Sequence, residues 1–182
     1  MVWSCLVSIL PGMAQTEKLT DYVNPFVGTD GYGNVYPGAQ IPFGGIQISP
    51  DTDSRFYDAA SGYKYNHLTL MGFSLTHLSG TGIPDLGDFL FIPGTGEMKL
   101  EPGTHEDPDQ GYRSRYSHDK EWASPNYYAV ELADYGVKAE MTSGVRSGMF
   151  RFTYPESDNA FIMIDMNHTL WQSCEWSNLR MI

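Results

Sequence analysis

The residues that could do chemistry fall in two clusters. Residues 72–88, GFSLTHLSGTGIPDLGD, bring His77, Ser79, Asp85, Asp88 and several glycines together between two apolar runs. Residues 55–65, RFYDAASGYKY, place Arg55, Tyr57, Asp58, Ser61, Tyr63 and Tyr65 within eleven positions. The first mixture has the residue types of a hydrolase: a nucleophile, a base and a pair of carboxylates. The second blends flat aromatic faces with hydrogen-bonding groups, which suits the C–H faces and hydroxyls of a sugar. It equally describes a tyrosine-rich strand lining the core or an edge, and the residues alone leave both readings open.

Spacing removes several chemistries. Ser79 lies in HLSGT, so the G-x-S-x-G turn that exposes a serine nucleophile fails at its first glycine. The five histidines, at 67, 77, 105, 118 and 168, show no H-E-x-x-H or comparable zinc spacing. Asp85 and Asp88 could bind Ca²⁺ or do acid–base work, but the D-x-D-x-D-G loop with its distal Glu is absent. The bland alternative, which we favour, is that Asp85 makes an Asx-type turn bond and Asp88 starts the strand DFLFIP. Gly31, Gly33 and Gly38 do not match G-x-G-x-x-G, and no Lys follows to form a phosphate loop. HEDPDQ (residues 105–110) reads as a solvated loop, and Asn167-His168-Thr169 matches a glycosylation sequon that is common by chance. Cys5 and Cys174 sit in unlike contexts far apart and form no disulfide framework.

The elements that must position these residues are short strands. Ile46–Ser49, Phe89–Pro93, Tyr127–Asp134, Val137–Thr142, Met149–Tyr154 and Phe161–Met166 follow one another with turn residues between them. Phe150, Phe152 and Tyr154 alternate with Arg151 and Thr153, the period of a half-buried strand. Asp134-Tyr135-Gly136 reads as a hairpin turn. No window carries an amphipathic helix of three sustained turns. The 182 residues fit one domain, and 41% apolar residues with 19 Gly, 11 Pro and 12 Tyr favour strands and turns over long helices. The fold class is therefore all-β, an antiparallel β-sandwich with long loops.

Charge narrows the partners. With 22 acidic against 11 basic residues the net charge is −11, which repels phosphate backbones and anionic lipid, so no nucleic acid is expected. No apolar stretch reaches the roughly 20 residues of a membrane span. Residues 1–14 read as a signal-peptide remnant with Gly12 and Ala14 at the −3 and −1 positions, leaving residues 15–182 as the domain. At the other end WQSCEWSNLRMI stops in mid-pattern, so the sandwich is expected to be incomplete there and to expose an edge.

The blocks DYVNPFVGT, YPGAQIPFGGIQISPDT, SGYKY, GFSLTHLSGTGIPDLGDFLFIP, ASPNYYAVELADYGVKAEMT, RSGMFRFTYP and DMNH, in this order from Asp21 to His168, resemble the N-terminal domain of the glycoside hydrolase family 92 α-mannosidases. The resemblance implies a periplasmic or secreted, Ca²⁺-dependent exo-enzyme that removes terminal α-linked mannose from mannans or N-glycans with inversion. It implies a β-sandwich packed on a C-terminal (α/α)6 barrel that supplies the calcium ligands and the acid–base pair, held roughly 6.5–9.5 Å apart in inverting enzymes. On that reading this chain contains no catalytic residue and is inactive alone. Its partners are a mannose-containing glycan and the catalytic domain. Family members often place Trp and Cys before the S-G-Y block, where this chain has Tyr57, Ala59 and Ala60. The stacking role passes to Tyr57, with Asp58, Ser61 and His77 as further substrate-binding positions. The alternative is a carbohydrate-binding sandwich that works alone without catalysis.

Overall fold

A computed structural model describes residues 17–54, 59–171 and 173–180. The leader segment 1–14, Cys5, Tyr57 and Asp58 lie outside the described residues. Helical structure among the described residues is confined to short 3-10 turns, such as Leu19–Tyr22 and His118–Lys120.

Among the described residues eleven strands follow in chain order: β1 Ala39–Gln40, β2 Gln47–Asp51, β3 Thr69–Leu70, β4 Gly72–Ser74, β5 Leu90–Thr95, β6 Ser114–Arg115, β7 Glu121–Ser124, β8 Tyr127–Leu132, β9 Val137–Ser143, β10 Gly148–Thr153 and β11 Ala160–Asp165. They form a five-stranded sheet in the order β1-β2-β4-β5-β11, a four-stranded sheet in the order β10-β9-β8-β7, and a β3-β6 pair. The pairings between them are antiparallel throughout.

The two main sheets meet through apolar side chains. Ile48 and Phe73 from the first pack in one cluster with Tyr128, Val130, Leu132, Val137, Ala139 and Met141 from the second. Phe150 and Phe152 reach this cluster from β10, and Phe73 sits 6.5 and 6.2 Å from their ring centres. Their inward placement matches the alternation read from RFTY, with Arg151 and Thr153 exposed. A second cluster, Met71, Leu90, Ile92 and Tyr112, covers the opposite face of the five-stranded sheet. That sheet is therefore buried on both faces, which is why β2 and β5 do not alternate. The expected hairpin turn is present: Gly136 N–H donates to Leu132 O at 2.8 Å, and Gly136 has φ +65°.

Strand boundaries differ from expectation in one instructive place. Asp88 does not start β5, which begins at Leu90. Leu86, Gly87 and Phe89 have φ of 72°, 83° and 55°, so the backbone turns through the left-handed region before it can extend. Asp85 Oδ1 accepts from the adjacent Leu86 N–H at 2.8 Å, and Asp88 Oδ2 accepts from Thr76 Oγ1 at 2.9 Å. At the sheet edge, Ile162 and Ile164 of β11 pair with Pro93 and Phe91 yet stay 52% and 39% exposed.

Candidate functional site

At the end of β2 the chain reads Asp51-Thr52-Asp53-Ser54, and four histidines from four separate segments close on it. Asp51 is fully buried. His77, in the loop after β4, reaches Asp51 Oδ1 through Nε2 at 2.8 Å, and His168, in the turn after β11, reaches Oδ2 through Nε2 at 2.7 Å. His77 Nδ1 lies 2.7 Å from Gln47 O, an acceptor only, so Nδ1 carries a proton, and Ser74 Oγ also lies 3.0 Å from Nε2. Burial pushes the Asp51 carboxyl up, but the charges and hydrogen bonds of His77 and His168 together outweigh it. They hold the carboxyl well below the usual carboxylate range.

The neighbouring residues are held in the same way. His67 Nδ1 meets Thr52 Oγ1 at 3.0 Å. His105 Nε2 lies 3.2 Å from Asp53 Oδ2, within ion-pair distance but out of line for a hydrogen bond. Arg113, fully buried, donates from Nη1 to Thr52 O at 2.6 Å and to Thr69 Oγ1 at 3.2 Å. Thr52 N–H donates to Gly62 O at 2.7 Å, which joins the chain on the two sides of Ser54 and Ala59. Gly62 has φ +83°, and a Cβ there would stand 2.1 Å from Asp51 Oδ1. The glycine is required by both the backbone and the carboxylate beside it.

Above this base lies a depression of about 450 Å³, within the size range of small-molecule sites. Its lining includes Ser54, Met71, Tyr112, Asp165, Asn167, His168 and Trp171. Trp171 is 60% exposed and offers a flat face, and its backbone N–H donates to Ser54 O at 2.9 Å. A second depression of about 300 Å³ shares His168 and Thr169 and includes Asp88. Apolar and aromatic surface beside hydroxyl, amide and carboxylate groups can hold a polyhydroxylated ring. Among the described residues lining the larger depression Asp165 is the carboxylate, and hydrolysis with inversion needs two.

Of the expected substrate-binding positions, Ser61 is fully buried and donates to Tyr63 O at 3.4 Å. His77 is 3% exposed and belongs to the Asp51 cluster, so both lie beneath the surface rather than on it. Tyr57 and Asp58 fall between Ser54 and Ala59, outside the described residues. Among the described residues no group of three or more His, Cys, Asp or Glu is placed to hold a metal ion. Asp51, His168 and Trp171 are functional candidates that the sequence patterns do not single out. A signal for them exists, since PDT, SGY, THL and DMNH each contribute one residue to the same contact.

A depression of this kind on a β-sandwich suits the ancillary domain of a carbohydrate-active enzyme, and comparison makes the class specific. Residues 22–181 match the model of the glycosyl hydrolase family 92 N-terminal domain, and the chain belongs to that family. It is 30% identical over 139 residues to a protein of Arthroderma benhamiae described as an uncharacterized secreted glycosidase, covering 75% of this chain and 17% of that protein. Among solved structures it is similar to the family 92 glycosyl hydrolase ccman5, with 31% identity and a TM-score of 0.70. That match covers 82% of this chain and 20% of the other. It is also similar to the family 92 inverting mannosidase BT2199 of Bacteroides thetaiotaomicron, with 27% identity, a TM-score of 0.66 and the same coverage. The chain spans about a fifth of the length of these relatives. Among the described residues no helix is long and apolar enough to cross a membrane.

Proposed function

We propose that this chain is the substrate-walling N-terminal domain of an exported, calcium-dependent exo-α-mannosidase that acts with inversion on mannans or N-glycans. The observation that carries the reading is the depression between Ser54 and Trp171, which lies beside the buried Asp51 contact where His77, His168 and Gly62 meet. One of the similar solved structures is that of an inverting mannosidase, which supports the substrate class. The similarity to a secreted glycosidase of A. benhamiae supports export to the periplasm or medium. The acid, the base and the calcium ligands belong to a barrel domain outside these residues. The sandwich contributes binding: Trp171 offers exposed aromatic surface, and Tyr57, Asp58, Ser61 and His77 are the substrate-binding positions, with Ser61 and His77 buried beneath the surface.

The test is hydrolysis of an aryl α-mannoside by the longest polypeptide the gene encodes, and by residues 15–182 alone. The long polypeptide should release mannose in an EDTA-sensitive manner, with the β-anomer appearing first by NMR, and residues 15–182 should release none. EDTA-sensitive turnover by the short chain would overturn the assignment of catalysis to another domain. Mannoside binding by the short chain, with an inactive long polypeptide, would replace the enzyme by a carbohydrate-binding module.

A further inference from the structure

The buried Asp51 carboxylate stands where distant stretches of the chain bordering the larger depression meet. Its two oxygens are divided between two imidazoles, His77 from the loop after β4 and His168 from the turn after β11. Gly62 leaves the space that Oδ1 occupies. On one side, the bond from Thr52 to Gly62 joins the chain on the two sides of Ser54 and Ala59; on the other, the turn bearing His168 runs directly into Leu170 and Trp171. Leu170 N–H donates to Leu86 O at 2.8 Å and Trp171 N–H to Ser54 O at 2.9 Å. The carboxylate touches no solvent, so its effect on a ligand must pass through these neighbours.

We infer that Asp51 is a positioning residue: through its paired hydrogen bonds to His77 and His168 it sets the spacing between the Ser54 and Trp171 walls, and so the fit of the sugar ring. A charged acceptor suits this task. Charge-assisted hydrogen bonds are short, directional and roughly twice as strong as neutral ones, so a shared carboxylate orients two rings at once. Misplacement of a binding wall by even about 1 Å is costly to a bound ring, which is why a group remote from the reacting atoms can matter.

The inference about sugar fit rests on the mannoside reading above, whereas the positional part does not, and two measurements separate them. Asp51→Asn, His168→Leu and His168→Gln are made in the longest polypeptide the gene encodes. By hydrogen exchange, Asp51→Asn and His168→Leu should accelerate the Leu170 and Trp171 amides by about tenfold or more while amides in β8 and β9 stay as in the parent. His168→Gln, which keeps a donor toward Asp51, should restore most of the protection. With an aryl α-mannoside the first two variants should raise KM by about tenfold with a smaller change in kcat, the signature of lost binding geometry. Unchanged Leu170 and Trp171 exchange, or acceleration spread evenly over both sheets, would overturn the positioning role. If the parent polypeptide turns over no mannoside, the substrate reading falls and the exchange result still decides the role of Asp51. Should Asp51→Asn fail to fold, the His168 pair carries the same decision.

Discussion

Two of the buried carboxylates, Asp51 and Glu121, have partners that differ in kind. Asp51, beside the depression, is held by two imidazoles. Glu121, on β7 in the other main sheet, accepts from Tyr63 at 2.9 Å and Tyr128 at 2.5 Å through Oε1, and meets His118 Nδ1 at 2.6 Å through Oε2. Both side chains are almost wholly removed from water, at 0% and 1% exposure. The phenols stay protonated because burial raises both: Tyr128 is pushed up further by the charge of Glu121, and Tyr63 by Tyr116 and then Glu121. Glu121 keeps a water-facing outlet, since His118 is 25% exposed and stacks on Tyr65 with ring centres 4.0 Å apart. The imidazoles on Asp51 are themselves sealed in, at 0% and 2% exposure. The contrast teaches that one carboxylate is built to hold a geometry and the other to satisfy a polar core.

The sharpest way to break that contrast is to neutralise each acid. Asp51→Asn removes the charge from a buried acceptor shared by His77 and His168, and losing one partner of a buried ionic group costs about 3–5 kcal/mol. Glu121→Gln keeps an oxygen for the two tyrosines and should cost about 1–2 kcal/mol, nearer one hydrogen bond. Urea unfolding of both variants checks the order, and equal losses would erase the distinction. Between these falls Gly62→Ala, expected to cost about 1–3 kcal/mol from its left-handed φ alone, with more added if the Asp51 carboxylate must move. The comparison predicts that this loss shrinks when Asp51→Asn is already present, a coupling that a double-mutant cycle would read.

Acid gives the smallest effect. The folded Asp51 carboxyl is depressed below its unfolded value, so its stabilisation is fully present above about pH 4 and is lost as pH falls through the folded value. The stability gap between the parent and Asp51→Asn should therefore be widest near neutrality and narrow below about pH 4, measured by denaturant titration across that range.

Much of the sandwich could be read from residues alone, because alternation and turn chemistry are local. Val137–Ser143 and Gly148–Thr153 form a ladder close to the one their patterns predict, and the Asp134-Tyr135-Gly136 turn joins β8 to β9 as expected. The misses have physical causes. β3 and β6 are two-residue pairs, too short to show a period. β7 begins with Glu121 facing inward, against the pattern of an apolar interior, because Tyr63 and Tyr128 wait there for a charge. The family blocks marked which stretches matter, but no spacing rule could bring His77 and His168 to Asp51 across 26 and 117 residues. His77, expected as a substrate-binding position, is buried beside Asp51, a placement its spacing in the sequence could not show.

The Asp51–His168 contact, which joins residues 117 apart, has a consequence for the order in which the chain assembles. Local hairpins such as β8–β9 close small loops at low entropic cost, whereas β11 must first find β5 across the intervening sheet before His168 can approach Asp51. The wall that carries Trp171 is therefore a late product of folding. A chain that has formed its hairpins but not brought β11 to β5 has most of its strands and lacks the depression between Ser54 and Trp171.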